Sequence, residues 1–211
     1  NETTITGEIK GLGTDTLYLY GMDELYDRID TIYVENDKFS YTTSVDTITS
    51  AYLLLKNRIE YPVFLDKGNK IKIKGDTINL NFLTISGNIY NEEFTDFQKA
   101  LEDPADPSEK AGEETVDKRI TVEKANTAEE MAEEFILQHH SSYVSLYLLD
   151  KYFVQKETPD FSKIKKLVEV MTGVLQDKPY IERLNETITQ AEKSEIGKYA
   201  PFFSLPNAKG E

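Results

Sequence analysis

Between Thr3 and Ile85 lie short runs rich in threonine, tyrosine and aliphatic residues, and in the first of them apolar and polar positions alternate with a period of two, the spacing of half-buried strands. Ile5, Gly7 and Ile9 share a face of Thr3 to Ile9, and Leu17 and Leu19 share a face of Thr16 to Tyr20. Between them Gly11, Gly13 and Asp15 form a turn cluster, read as a hairpin turn. Further strands are predicted at Arg28 to Val34, Phe39 to Thr43, Ile48 to Leu55, Tyr61 to Leu65, Ile71 to Lys74 and Ile78 to Ile85. Asn36-Asp37 and Lys67-Gly68-Asn69 supply the turns. Ile71, Ile73 and Ile78 around Gly75-Asp76 predict a hairpin with one wet face. Short antiparallel strands joined by turns imply a sandwich or a strongly bent sheet.

After Gly87-Asn88 the period changes. Phe94, Phe97 and Leu101 follow helical spacing, in a helix that ends before Pro104. The acidic, Pro- and Gly-rich stretch EDPADPSEKAGEE, Glu102 to Glu114, reads as a mobile loop. A second helix is predicted over Thr127 to Gln138, with Thr127 and Glu130 as a capping box and Met131, Phe135 and Ile136 as its stripe. Ser142 caps a third helix, Tyr143 to Phe153, which is apolar nearly all round and so buried. Asp160 caps a fourth, with Ile164, Leu167, Val168 and Met171 inward. Pro179 opens a fifth, with Ile181, Leu184 and Ile188 on its core face. Strands followed by helices give an α+β class: an N-terminal antiparallel β-sandwich or bent sheet, then a helical bundle segment. The expected divisions are 1–87 for the β block, 88–195 for a helical block packed with it as one accessory domain, and 196–211 for the start of something else.

Composition narrows the function classes. No cysteine is present, which removes disulfides and thiolate chemistry from the chain. The 13 tyrosines and 10 phenylalanines supply much of the area a core needs. Net charge is −14, divided as −4 through Tyr90 (9 basic, 13 acidic) and −10 beyond it (15 basic, 25 acidic). An acidic surface repels phosphate backbones, so nucleic acid is not an expected partner, and a polybasic membrane contact is not expected either. No apolar run is long enough for a transmembrane segment.

The stretch IGKYAPFFSLPNAKGE, Ile196 to Glu211, resembles the opening G-x-x-A-P-x-F-x-L of peroxiredoxin- or TlpA/ResA-like thioredoxin domains. Gly197, Ala200, Pro201, Phe203, Leu205 and Gly210 fall on its positions. The rest of the chain resembles a domain-of-unknown-function family that precedes such domains in envelope proteins of Gram-negative bacteria. The resemblance is carried by Thr4 to Tyr20; by Asp30, Val34, Asn36 and Phe39; and by Phe64, Leu65, Asp66, Gly68, Asn69, Ile71 and Ile73. Ser86, Gly87 and Asn91, then Phe135, Ile136, His139, His140, Ser142 and Ser145, complete it, with His140 where a proline is usual. The resemblance implies an exported, envelope-associated context (periplasmic, or lipid-anchored upstream of Asn1) and a thiol-disulfide or AhpC/TSA-type redox domain beginning at 196–211 and truncated here.

No residue is assigned a catalytic, cofactor-binding or metal-ligating role, and no cofactor is expected. His139 and His140 are adjacent on a helix end, pointing about 100° apart, which does not suit one metal. Glu129, Glu130, Glu133 and Glu134 lack calcium-loop spacing and read as a solvated face. Ser141-Ser142 beside His140 reads as a helix boundary. Tyr18, Tyr20, Tyr26, Tyr33 and Tyr41 read either as cross-strand core pairs or as an aromatic face for a sugar or peptide. The expected function is a non-catalytic N-terminal module of an envelope thiol-disulfide oxidoreductase. Its partners would be the missing C-terminal thioredoxin-like domain, envelope protein substrates and a second copy in a homodimer. The alternative is an independent glycan- or peptide-binding envelope module.

Overall fold

A computed structural model describes residues 2–102, 118–171, 173–176 and 178–198. Eight strands come first: β1 (Glu2–Lys10), β2 (Asp15–Gly21), β3 (Ile29–Val34), β4 (Lys38–Ser44), β5 (Thr49–Leu54), β6 (Glu60–Leu65), β7 (Lys70–Asp76) and β8 (Thr84–Ser86). They form two four-stranded sheets, ordered β4-β1-β7-β8 and β3-β2-β5-β6. Five helices follow: α1 (Ile89–Glu102), α2 (Lys118–Gln138), α3 (Tyr143–Leu149), α4 (Phe161–Val170) and α5 (Pro179–Lys198). The α+β class is as the sequence predicts.

The alternating residues do what their period demands. Ile5 and Ile9 of β1, Leu17 and Leu19 of β2, Ile32 of β3, Leu53 of β5 and Ile71 and Ile73 of β7 are buried between the sheets. The pairing is mixed, however. β1 runs parallel to β7, with Ile5 beside Ile71 and Gly7 beside Ile73, while its other neighbour β4 is antiparallel.

The first turn is not a hairpin. β1 and β2 belong to different sheets, so Gly11-Leu12-Gly13 carries the chain across the sandwich. Asp37 holds the crossing in place: its carboxylate accepts from the Gly13 N–H at 2.6 Å, its N–H donates to the Gly13 carbonyl at 3.0 Å and its carbonyl accepts from Ile9 at 2.9 Å. At Gly11 φ is +89°, and a Cβ would lie 2.1 Å from Thr77 Oγ1, so a side chain is excluded twice over.

The predicted strand from Ile78 shrinks to Thr84–Ser86. Asp76 and Asn79 divert the intervening backbone. The Asp76 carboxylate accepts from the Ile78 N–H at 3.0 Å and the Asn79 side chain accepts from Asn81 at 3.1 Å, local turns that compete with a ladder. Ile78 is left 91% exposed.

Among the helices, α2 starts at Lys118, so Thr127 lies inside it and not at its start. Neither proline nor glycine lies between Lys118 and Thr127, which lets the helix extend N-terminally. Ser142 caps α3, accepting from the Val144 N–H, and Asp160 caps α4, accepting from the Lys163 N–H. After Leu149 the helix widens into a π turn, Asp150–Val154, with the Gln155 N–H reaching the Asp150 carbonyl at 3.0 Å. Pro179 opens α5, and Ile181, Leu184 and Ile188 are buried.

The acidic stretch after Glu102 lies outside the described residues up to Asp117. Of the segment Ile196 to Glu211, expected to begin a further domain, Ile196 to Lys198 continue α5 and the remainder also lies outside.

One continuous core joins the strands to the helices. Phe94 of α1 meets Tyr61 of β6 with ring centres 5.6 Å apart and Tyr147 of α3 at 5.2 Å. Tyr147 meets Tyr52 of β5 at 6.2 Å. Asp150, nearly buried in the π turn, accepts hydrogen bonds from Tyr180 of α5 and Gln155, each at 2.5 Å. Lys178 donates to the Ile48 carbonyl at 3.2 Å and sits 4.9 Å from the centre of the Tyr143 ring. These joints fix which parts of the sandwich the helices cover.

Candidate functional site

The sandwich has two open flanks, and the chain closes them differently. On one flank the edge strands are β6 and β8, and α1 lies against both. The buried Asn91 side chain accepts from the Phe64 N–H at 2.9 Å and donates to the Phe64 carbonyl at 2.8 Å, the two bonds a neighbouring strand would make. Asn88 also donates to the Phe64 carbonyl, at 2.8 Å. One turn along α1, Thr95 Oγ1 accepts from the Ile85 N–H at 3.1 Å and lies 3.1 Å from the Ile85 carbonyl. The Tyr61 hydroxyl accepts from Leu83 N–H at 3.0 Å and donates to its carbonyl at 3.1 Å. Pro62 lies in β6 two residues before Phe64, so the N–H it lacks is one that would face this flank. Gly87, at φ +115°, passes so close to β7 that a Cβ would stand 2.3 Å from the Lys70 carbonyl oxygen.

On the other flank the edge strands are β3 and β4. They touch through a tight turn at Asn36-Asp37, both with positive φ, and a single bridge between Glu35 and Lys38. Beyond it they part, and side chains fill the gap. Asp30 accepts from Tyr26, and from Arg28 Nε at 3.1 Å. Arg28 also bonds Thr43, reaches the Ser44 carbonyl at 2.9 Å and lies 4.4 Å from the centre of the Tyr26 ring. Burial alone would raise the Asp30 carboxyl, but hydrogen bonds from Tyr26, Tyr41 and Arg28, with the Arg28 charge, together hold it below the ordinary carboxylate range. Burial, and then the bond to Asp30, push the Tyr26 hydroxyl up to about 12. This cluster joins side chains mainly to one another; its one bond to strand backbone goes to the Ser44 carbonyl at the end of β4, and the backbone of β3 is left alone.

The outer faces differ as well. That of β4, β1 and β7 carries Lys38, Ser40, Thr42, Thr4, Thr6, Lys70, Lys72 and Lys74, a solvated polar surface. The outer face of the second sheet is graded. β6 is buried on both sides except at Glu60, because the helices lie on it. Tyr52 and Leu54 of β5 and Tyr20 of β2 are half-buried. Tyr18 is 40%, Ile29 73% and Tyr33 77% exposed, where the helical cover has run out. Of the five tyrosines singled out, Tyr18, Tyr20 and Tyr33 share this apolar face, while Tyr26 and Tyr41 turn inward to Asp30. The surface suits contact with another apolar or aromatic surface; the acid beside it, Glu60, is hydrogen-bonded to Tyr20.

Most of the remaining sequence candidates make contacts within the fold. His139 Nδ1 lies 2.9 Å from the Phe135 carbonyl with its ring stacked on Phe135 at 3.9 Å, and His140 Nε2 lies 2.6 Å from the Leu137 carbonyl. Glu129 pairs with Lys156 and Glu133 with Lys163, each at 2.8 Å. Ser142 Oγ donates to Glu93 at 2.7 Å as well as capping α3. Among the described residues no group of three or more His, Asp or Glu could hold a metal ion, and no helix is long and apolar enough to cross a membrane. Asn91 and Thr95 carried a sequence signal that periodicity alone does not value: with Gln98 they form a polar stripe at helical spacing on a face that also holds Phe94.

The fold thus defines a two-sheet module closed on one flank by its first helix and extended by a helical block. Residues 3–94, under half of the chain, match a family described as a domain of unknown function, DUF4369. The N-terminal region is therefore a DUF4369-type domain, and the match runs past the last strand into α1 as far as Phe94. It so includes Asn91, without which the β6 edge would stand open. No curated protein and no solved structure matches the chain.

Proposed function

We propose that this chain is the non-catalytic accessory part of an exported envelope thiol-disulfide oxidoreductase, positioning its redox domain or selecting its protein partners. One observation carries the reading: the residues Gly197, Ala200, Pro201, Phe203, Leu205 and Gly210, a segment that begins within the last turn of α5, resemble in sequence the opening of a thioredoxin-like domain. The absence of cysteine supports a division of labour, since thiol chemistry has to come from elsewhere in the parent protein. So does the employment of the His, Ser and Glu candidates in caps, stacks and ion pairs.

The test is the parent protein with and without residues 1–195. Reduction of a small disulfide is expected to survive the deletion within about twofold, because the redox pair would be intact. Choice among protein substrates is expected to change. Loss of small-disulfide reduction on deletion would sink the accessory role, and a parent gene with no cysteine-bearing domain after Glu211 would sink the redox context.

The exposure of Tyr18, Tyr33 and Ile29 on one sheet face favours a second reading, an independent peptide- or glycan-binding module. Ligand binding by this chain, in a parent without a redox domain, would select it instead.

A further inference from the structure

We infer that β3 is a dimerisation strand, and that two copies of this chain join antiparallel along it into one eight-stranded sheet, ordered β6-β5-β2-β3-β3-β2-β5-β6. Three observations carry this.

First, β3 is the edge left unguarded. The Phe64 N–H and carbonyl on β6 are taken by Asn91, and β8 is three residues long with Ile85 held by Thr95. β4 presents Lys38, Ser40 and Thr42 outward and has its Ser44 carbonyl taken by Arg28. β3 has no proline, lysine or bulge, and among the described residues no hydrogen bond reaches the backbone of 29–34 except from β2. An edge strand without such devices is a template for another strand.

Second, the strand is self-complementary. Sheet continuity requires outer-face residues to meet outer-face residues. A two-fold axis at Thr31 sets Thr31 against its own copy and Ile29 against Tyr33 twice, pairings that stabilise antiparallel sheets. Ile29 and Tyr33 are the large apolar residues of β3 exposed in the single chain. A register centred on Asp30 would instead oppose two carboxylates, and one centred on Ile32 would leave Ile29 unpaired.

Third, the assembly closes. A second copy uses the β3 edge of both chains, and the far edges of the combined sheet are the two β6 strands, each sealed by its own Asn91. An isologous contact with sealed ends stops at two. A heterologous contact through the same strand would leave one β3 edge free.

The inference does not depend on the redox reading, and the two can fail separately. The test is sedimentation of the full chain, with circular dichroism confirming the fold of each variant. The unaltered chain is expected at twice 24.1 kDa. Thr31→Lys and Thr31→Glu should each weaken the dimer by more than about tenfold, since like charges meet at the axis. Mixing the two variants should restore it. As a second measurement, Thr31→Cys in this cysteine-free chain should yield a covalent dimer on mild oxidation, because opposed residues at the axis lie within disulfide reach. Thr42→Cys on β4 should not. A monomeric unaltered chain overturns the inference and leaves β3 as an edge for an extended segment of another protein. A dimer that survives Thr31→Lys, or is not restored by mixing, also overturns it.

Discussion

The two flanks of the sandwich are closed by different chemistry. At β6 and β8 the side chains of Asn91, Thr95 and Tyr61 bond the backbone of the edge strands, so the flank is finished in the way a further strand would finish it. At β3 and β4 the side chains of Asp30, Tyr26, Arg28 and Thr43 bond mainly each other, with one bond to the Ser44 carbonyl of β4, and the edge backbone of β3 keeps its free groups. The first flank is then part of the core. The second is held shut yet remains a surface. Buried backbone groups without partners cost far more than exposed ones, so the two closures should differ in stability more than their similar numbers of hydrogen bonds suggest.

Asn91→Ala is the strongest way to break that contrast. It strands the buried Phe64 N–H, which has no other partner among the described residues, while the Phe64 carbonyl keeps Asn88. The expected loss is about 2–4 kcal/mol, one buried orphan plus the lost bonds. Denaturant unfolding followed by circular dichroism reads it. A loss smaller than that of the Asp30 substitution below would mean that α1 merely covers the flank and does not complete it.

Asp30→Asn probes the other flank and should cost less, about 1 kcal/mol, because the cluster is partly solvated and its members can turn to water. The pH dependence has a defined sign. The carboxyl of Asp30 is depressed in the folded chain, so its contribution is complete above the unfolded carboxylate value of about 4 and fades as pH falls through the lower folded value. The stability difference between the unaltered chain and Asp30→Asn should therefore be flat near neutrality and shrink in acid. A difference that grew on acidification would show that burial, not the Tyr26 and Arg28 bonds, sets the state of this carboxyl.

Much of this architecture is legible in the residues. Alternation, β-forming residues and the turn residues between them located seven strands closely, and Ser142, Asp160 and Pro179 start helices where their chemistry says they should. What escaped is non-local. Nothing in Gly11-Leu12-Gly13 says which sheet the next strand joins, and the parallel partner of β1 lies some sixty residues away at β7. Ile78 carries a strand-former's side chain, yet Asp76 and Asn79 win the backbone with local hydrogen bonds. The pattern Ser86, Gly87, Asn91 was visible, but its meaning needs Lys70 pressed against the glycine and Phe64 facing the asparagine. The five tyrosines could not be sorted by sequence into inward and outward sets, because that depends on where the helical cover ends.

The smallest effect is expected at the end of that cover. Tyr33→Ala removes a side chain that is 77% exposed, from the strand whose edge is free. In the Thr31→Lys background, where association is suppressed, it should change unfolding free energy by no more than about 0.5 kcal/mol, as surface substitutions do. In the otherwise unaltered chain the same change should weaken association, since Tyr33 then faces Ile29 of the second copy. A stability loss of equal size in both backgrounds would mean that Tyr33 is already packed within its own chain. The contrast between a finished flank and an available one would then move from β3 to the polar face of β4.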